Sequence, residues 1–240
     1  MKKSTKFLFL LSLAMMMVAG SANAQKTHFG IKASATFNNI ITDSITYSAS
    51  DTSFFGTDQN PLQFGFNVGA FAEYMLSDKF GVSVEVLYAR QGRKEINETD
   101  IYKSTTNITT NNINLPIMLK LYLTERLAVE IGPQFNYCFG GNINVKTSFT
   151  DELLTDQESN FTFKEIEDDF SEVVSDYKYW NRFGVGAALG FSYNFNFGLF
   201  VGARYTLGFT NLLNSINDED KQESMDSKNS VISISAGFRF

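Results

Sequence analysis

The chain has 240 residues, with 26 acidic against 20 basic side chains, a formal charge of −6 and a hydrophobic content of 43%. An acidic chain without a basic stripe excludes nucleic acid as a partner, and the lone Cys138 excludes an internal disulfide framework. With 24 Phe and 10 Tyr against 3 Pro and 1 Trp, the composition leans towards β-structure.

The N-terminus carries Lys2, Lys3 and Lys6, an apolar run from Phe7 to Ala19, and the small-x-small sequence Ala22-Asn23-Ala24. This is the pattern of a secretory signal peptide over residues 1–24, with cleavage after Ala24, and it leaves 25–240 as the folded domain. No cysteine stands at the cleavage point, so no N-terminal lipid anchor is expected. Nothing in 25–240 approaches the ~20 apolar residues that a membrane-spanning helix requires.

The rest of the chain alternates with period two. The first expected strand, Thr27 to Phe37, sets Phe29, Ile31, Ala33, Ala35 and Phe37 against Gly30, Lys32, Ser34 and Thr36. A polar loop to Pro61 leads to a second strand, Leu62 to Met75, with Phe71 and Glu73 on its polar face. The turn Ser77-Asp78-Lys79 joins it to a third, Phe80 to Arg90. A polar loop from Gln91 to Asn111 precedes the fourth, Asn112 to Leu123, and Thr124-Glu125-Arg126 turns into the fifth, Leu127 to Phe139. The longest loop, Gly140 to Asn181, contains Thr162-Phe-Lys-Glu165, a capping box. Ile166, Phe170, Val173, Val174 and Tyr177 follow it at helical spacing, so a short amphipathic helix over the barrel mouth is expected, as a lid or a docking face. The sixth and seventh strands, Arg182 to Tyr193 and Phe197 to Phe209, flank the turn at 194–196. The last runs from Asn229 to Phe240, with Ile232, Ile234, Ala236, Phe238 and Phe240 on one face.

Eight alternating segments whose connections go long, short, long, short describe an all-β, eight-stranded antiparallel up-and-down transmembrane barrel with short periplasmic turns and long extracellular loops. A soluble β-sandwich also alternates, but the loop rhythm, the leader and the aromatic end of the last strand agree with a barrel in the outer membrane. Outward aromatic residues gather at two levels, Phe37, Phe64, Tyr88, Tyr137, Phe183 and Phe209 at the loop ends, and Phe29, Tyr74, Phe80, Tyr193, Phe197, Phe238 and Phe240 at the turn ends. Outer-membrane lipid is therefore an expected partner. A terminal phenylalanine after alternating apolar residues resembles the signal that outer-membrane assembly machinery reads, which singles out Phe238 and Phe240.

Eight strands enclose a space that side chains just fill. The inward faces carry Lys32, Glu73, Glu85, Lys120, Glu130, Arg204 and Arg239, and such charges must pair, because an unpaired buried charge costs several kcal/mol. A plugged lumen is expected, with Glu85, Lys120 and Glu130 in one network. Pro116 and Pro133 fall inside strands, where bulges are expected. No catalytic residue, cofactor site or metal site is expected. The only histidine, His28, stands at the periplasmic end, away from any rim where a serine and an acid would join it. Cys138 reads as an inert lumenal side chain. The loop acids Glu165, Glu167, Asp168, Asp169, Asp218, Glu219 and Asp220 lack the ordered pattern of a calcium loop.

Phe71-Ala-Glu-Tyr-Met-Leu-Ser-Asp-Lys-Phe80, Val86-Leu-Tyr88, Leu115-Pro-Ile-Met-Leu-Lys120, Ile131-Gly-Pro-Gln134 and Phe200-Val-Gly-Ala-Arg-Tyr205 resemble the PorT-like outer-membrane β-barrel proteins of Gram-negative bacteria, over essentially all of 25–240. The resemblance implies an outer-membrane barrel of this strand number, and its founding member is tied to secretion and gliding machinery. Two roles follow. One is a non-enzymatic structural or interaction barrel that meets a secretion-system or cell-surface protein. The other is a narrow porin-like channel for small solutes or ions.

Overall fold

The computed structural model describes residues 27–42, 62–98, 102–149, 155–166, 182–210 and 227–240. The expected leader with Ala22 and Ala24, the helical spacing from Phe170 to Tyr177 and the acids Glu167, Asp168, Asp169, Asp218, Glu219 and Asp220 lie outside the described residues. The described strands are β1 (Thr27–Thr42), β2 (Gln63–Met75), β3 (Phe80–Glu98), β4 (Tyr102–Tyr122), β5 (Leu127–Phe149), β6 (Gln157–Thr162), β7 (Phe183–Asn194), β8 (Leu199–Gly208) and β9 (Ser227–Arg239). They form one antiparallel sheet in the order β4-β3-β2-β1-β9-β8-β7-β5-β6, and the further pairing of β4 with β5 closes a ring of eight with β6 outside it.

Three tight turns close one end. In two of them a hydroxyl side chain holds the chain. Ser77 Oγ accepts from the Phe80 amide at 3.2 Å, and Thr124 Oγ1 accepts from the Leu127 amide at 3.0 Å. In the third, Gly198 has φ +94°, a left-handed conformation that side chains resist. That glycine ends the turn, so β8 begins at Leu199 rather than at the expected Phe197.

Along the lower barrel the faces separate as the alternation requires. Phe29, Ile31, Ile131, Leu189, Phe191 and Ile234 are all more than half exposed, while Lys32, Thr36, Glu73, Ser83, Glu85 and Asn114 are buried in the bore. Outward aromatic rings touch at two levels: Phe37–Phe64, Phe66–Tyr88, Tyr88–Phe139 and Phe135–Phe183 towards the loop end, and Tyr193–Phe195, Phe195–Phe197 and Phe238–Phe240 at the turn end.

Two stretches expected as loop are sheet. β3 and β4 run on past Arg90 and Asn112 to pair as far as Glu98 with Lys103, and β5 continues to Phe149, with β6 added along its edge. The 23 residues of β5 are about twice the ~10 that a tilted strand needs to cross a membrane. The upper halves of β3, β4 and β5, with β6 beside them, therefore stand beyond the upper aromatic level.

The bulge is also elsewhere than expected. Pro116 pairs with Gln134 and Pro133 with Ala187 in unbroken register, and the ladder lapses only on the other flank of each, towards β3 and β4 respectively. The shift falls between Asn111 and Asn112, opposite Gly140 and Cys138, so that Phe139 is the extra residue. A proline costs only the donor it lacks, whereas a register shift needs an added residue.

Candidate functional site in the barrel bore

The bore is filled by one chain of ion pairs. Lys32 on β1 lies 3.2 Å from Glu85 on β3. The Arg204 guanidinium on β8 donates to both Glu85 oxygens, at 3.0 and 2.7 Å, and to Glu130 on β5 at 2.9 and 2.7 Å. Lys120 on β4 bonds Glu73 on β2 at 2.8 Å and stands 4.0 Å from Glu130. The Tyr122 hydroxyl donates to the other Glu73 oxygen. Three acids and three bases from six of the eight ring strands thus form a continuous path across the bore, every one of them buried. Arg204 carries the joint, since its planar fork reaches two carboxylates at once.

Glu85, Lys120 and Glu130 fall in one network, as expected, but through partners that counting residues from the turns does not give. Glu85 and Lys120 do not meet. Lys120 is opposite Gly81 in the ladder and finds Glu73, while Arg204 links Glu85 to Glu130. Barrel strands are staggered by the shear that closes the ring, so equal distance from two turns is not equal depth. Tyr122, absent from the expected set, was legible as the inward neighbour of Lys120 two residues along the same strand.

Next to the ion pairs, Phe71 and Phe200 meet edge to face with centroids 5.4 Å apart. Their rings lie across Gly30 and Gly237, where any Cβ would collide with them. Lys120 Nζ sits 5.7 Å from the Phe71 ring centroid. The space left around this plug is a cavity of about 10 Å³ against Lys32, Glu85, Lys120 and Glu130, and another of about 10 Å³ beside Ser34, Asn67 and Asn114. Each is close to the minimum volume that holds one water.

Arg239 stands apart from the six paired groups, within electrostatic reach of Glu73 and Tyr122. It lines an open cavity of about 470 Å³ at the short-turn mouth with His28, Arg126 and Asn194. His28 is thus on the inward face at the rim. Cys138 is buried, with Sγ 3.6 Å from the Gly140 carbonyl, beside the bulge. Among the described residues no group of three or more His, Cys, Asp or Glu could hold a metal ion. Phe238 and Phe240 face outward, and the Phe240 amide donates to the Phe29 carbonyl at 2.8 Å where β9 closes on β1.

A closed eight-stranded ring with an apolar exterior between two aromatic levels and a bore packed with paired charges is a membrane-spanning β-barrel. Residues 23–214 match the family model described as outer membrane protein beta-barrel domain. The chain belongs to that family and is an outer-membrane protein, with the short turns periplasmic and the long connections extracellular. No curated protein matches it. Among solved structures it is similar to the attachment invasion locus protein Ail of Yersinia pestis, at 12% identity and TM-score 0.42, covering 90% of this chain and 99% of that one. It is similar also to Neisserial surface protein A, at 14% identity and TM-score 0.44, covering 88% and 97% of the two chains. A major outer membrane protein from Thermus thermophilus aligns at 11% identity and TM-score 0.47, covering 89% and 99%.

Proposed function

We propose that this protein is a non-enzymatic outer-membrane barrel with a plugged lumen, serving as a scaffold that holds a sheet at the cell surface for contact with other molecules. The ion-pair chain from Lys32 through Glu85, Arg204, Glu130 and Lys120 to Glu73, with only ~10 Å³ cavities beside it, carries this reading. Opening a path for ions would leave buried carboxylates without partners, at several kcal/mol each. Single-channel recording from purified protein in planar bilayers tests it. The expected result is no stable conductance, and a steady conductance would replace the scaffold with the narrow porin-like channel.

The resemblance to PorT-like barrels supports a secretion component as one partner of the scaffold, alongside the assembly machinery that inserts it. Cross-linking in intact cells followed by identification of the captured proteins tests this, and capture of assembly components alone would remove the secretion role. Removal of residues 1–24 on export belongs to the same reading, and mature protein should begin at Gln25.

A further inference from the structure

The short-turn mouth of the bore is a blind pocket. Its open cavity of about 470 Å³ is lined by His28 on β1, Arg239 on β9 and the turn between β7 and β8, a size in the ~300–1,000 Å³ range of sites for small organic ligands and well above that of a lone ion. Gly30 is the ladder partner of Arg239, and the Phe71 ring lies across it, edge to face with Phe200. The ion pairs stand behind these two rings. Whatever enters from the periplasm must therefore present an end rather than a middle.

The lining has one uncompensated charge. Glu125 and Arg126 are neighbours on an exposed rim turn and offset each other. Arg239, half-buried on the inward face, forms no ion pair with any described carboxylate. The acid within its reach, Glu73, is already held by Lys120 at 2.8 Å and by the Tyr122 hydroxyl. Behind it the three acids and three bases of the ion-pair chain balance one another, so the bore supplies no counter-charge. A guanidinium without an acid is matched by a carboxylate, which it binds through two parallel hydrogen bonds. Nearby, Asn194 donates its amide nitrogen to the Arg126 carbonyl at 3.2 Å, which leaves its side-chain oxygen to accept from a peptide N–H.

We propose that the periplasmic mouth captures the terminal carboxylate of a short extended peptide, with Arg239 taking the carboxylate and Asn194 a backbone N–H behind it. The pocket is blind because the lumen is plugged, so the proposal rests on that part of the scaffold reading, and the two fail separately: conductance judges the plug, whereas peptide binding judges the pocket. The test uses the full chain in detergent with four probes: an acetylated Gly/Ala pentapeptide with a free carboxylate, the same peptide as its C-terminal amide, acetate and inorganic phosphate. Titration calorimetry should show the free peptide binding at least about 10-fold more tightly than its amide, as a hydrogen-bonded charge requires, and more tightly than acetate or phosphate. Arg239→Gln should remove about the same factor. Lys79→Gln, on a periplasmic turn outside the cavity lining, should stay within about twofold of wild type, since a distant charge is screened at ~0.15 M salt. Heat resistance on a gel checks that both variants fold, and the comparison of peptide with amide on the unaltered protein stands whatever the variants do. Equal binding of peptide and amide, equal binding of acetate or phosphate, no binding of any probe, or equal loss in the two variants would each overturn the assignment.

Discussion

The barrel below the upper aromatic belt and the sheet above it are made from the same strands, yet β5 is organised in opposite senses in the two. Below, Val129 and Ile131 of β5 face out, and Glu130 faces in. Above, Asn142 and Asn144 face out, and Ile143 and Val145 face in. The environment sets this difference. Lipid admits only apolar side chains and leaves the polar ones a narrow bore in which to pair, whereas beyond the membrane the outside is wet and apolar groups bury best on the concave side. β4 makes the switch in its sequence alone, from Ile113 outward to Ile108 inward. β5 makes it with the added Phe139, because its odd-numbered residues carry no charge or amide from Leu127 to Val145 and only the bulge brings the upper ones inside.

Arg204→Met tests the lower half most severely. It removes the one group that joins Glu85 to Glu130, and although Lys32 and Lys120 remain nearby, two buried carboxylates lose their shortest bonds. A loss of about 3–5 kcal/mol is expected, seen as conversion to the unfolded gel band at lower temperature, with amide protection in the upper sheet retained. Lys120→Met should cost less, because Glu73 keeps the Tyr122 hydroxyl and Glu130 keeps Arg204. An unchanged melting profile in both variants would mean that the network contributes nothing to stability.

Giving Phe139 a partner attacks the upper half. One residue inserted between Asn111 and Asn112 would pair with Phe139 and remove the bulge, so that Ile143 and Val145 turn outward and Asn142 and Asn144 turn in. Two half-buried aliphatic side chains would lose part of the ~1.5–3 kcal/mol that full burial gives each, so a destabilisation of about 2–3 kcal/mol is expected in the upper sheet alone. Hydrogen exchange should then accelerate in 102–110 and 142–149 and stay slow around Lys120 and Glu130. Uniform acceleration would show that the two halves are one cooperative unit.

This division also explains what the sequence revealed. The eight crossing segments were legible because lipid on one side and charge on the other enforce strict alternation, as in Ile232 to Phe240. The upper strands were not, since a stretch that is polar on both faces reads as loop once the outside is water; Ser104 to Thr110 offers only Ile108 as an apolar mark. The inward charges were legible one by one, but their pairing was not, because strand stagger is a property of the closed ring.

Deleting Phe240 separates closure from delivery in the lower half. The formed barrel loses an exposed side chain and the one backbone bond to Phe29, worth about 1 kcal/mol. If assembly machinery reads the end of β9, the amount inserted in the membrane should fall far more than the melting temperature of the barrels that do form. Equal effects would reduce Phe238 and Phe240 to belt residues.

The smallest effect belongs to the junction where the upper sheet ends. Thr162, the last residue of β6, accepts from the Glu165 amide through Oγ1 at 3.2 Å, and its own amide donates to the Glu165 carboxylate at 2.7 Å, so both halves of the capping box are made. Phe163 is buried with its ring against Gly141, which ties this turn to β5. The Thr162 backbone N–H holds the Glu165 carboxyl below its ordinary value of 4.5. A lowered carboxylate supports the fold above its unfolded value, and that support is lost as pH falls through the folded one. Acidification below about 4.5 should therefore loosen this junction. Carboxyl NMR titration should place Glu165 below 4.5 in the wild type, and Thr162→Val, by removing the reciprocal bond that orients the pair, should move it back up towards that value. A titration indifferent to Thr162→Val would leave Phe163 alone in fixing where the sheet stops.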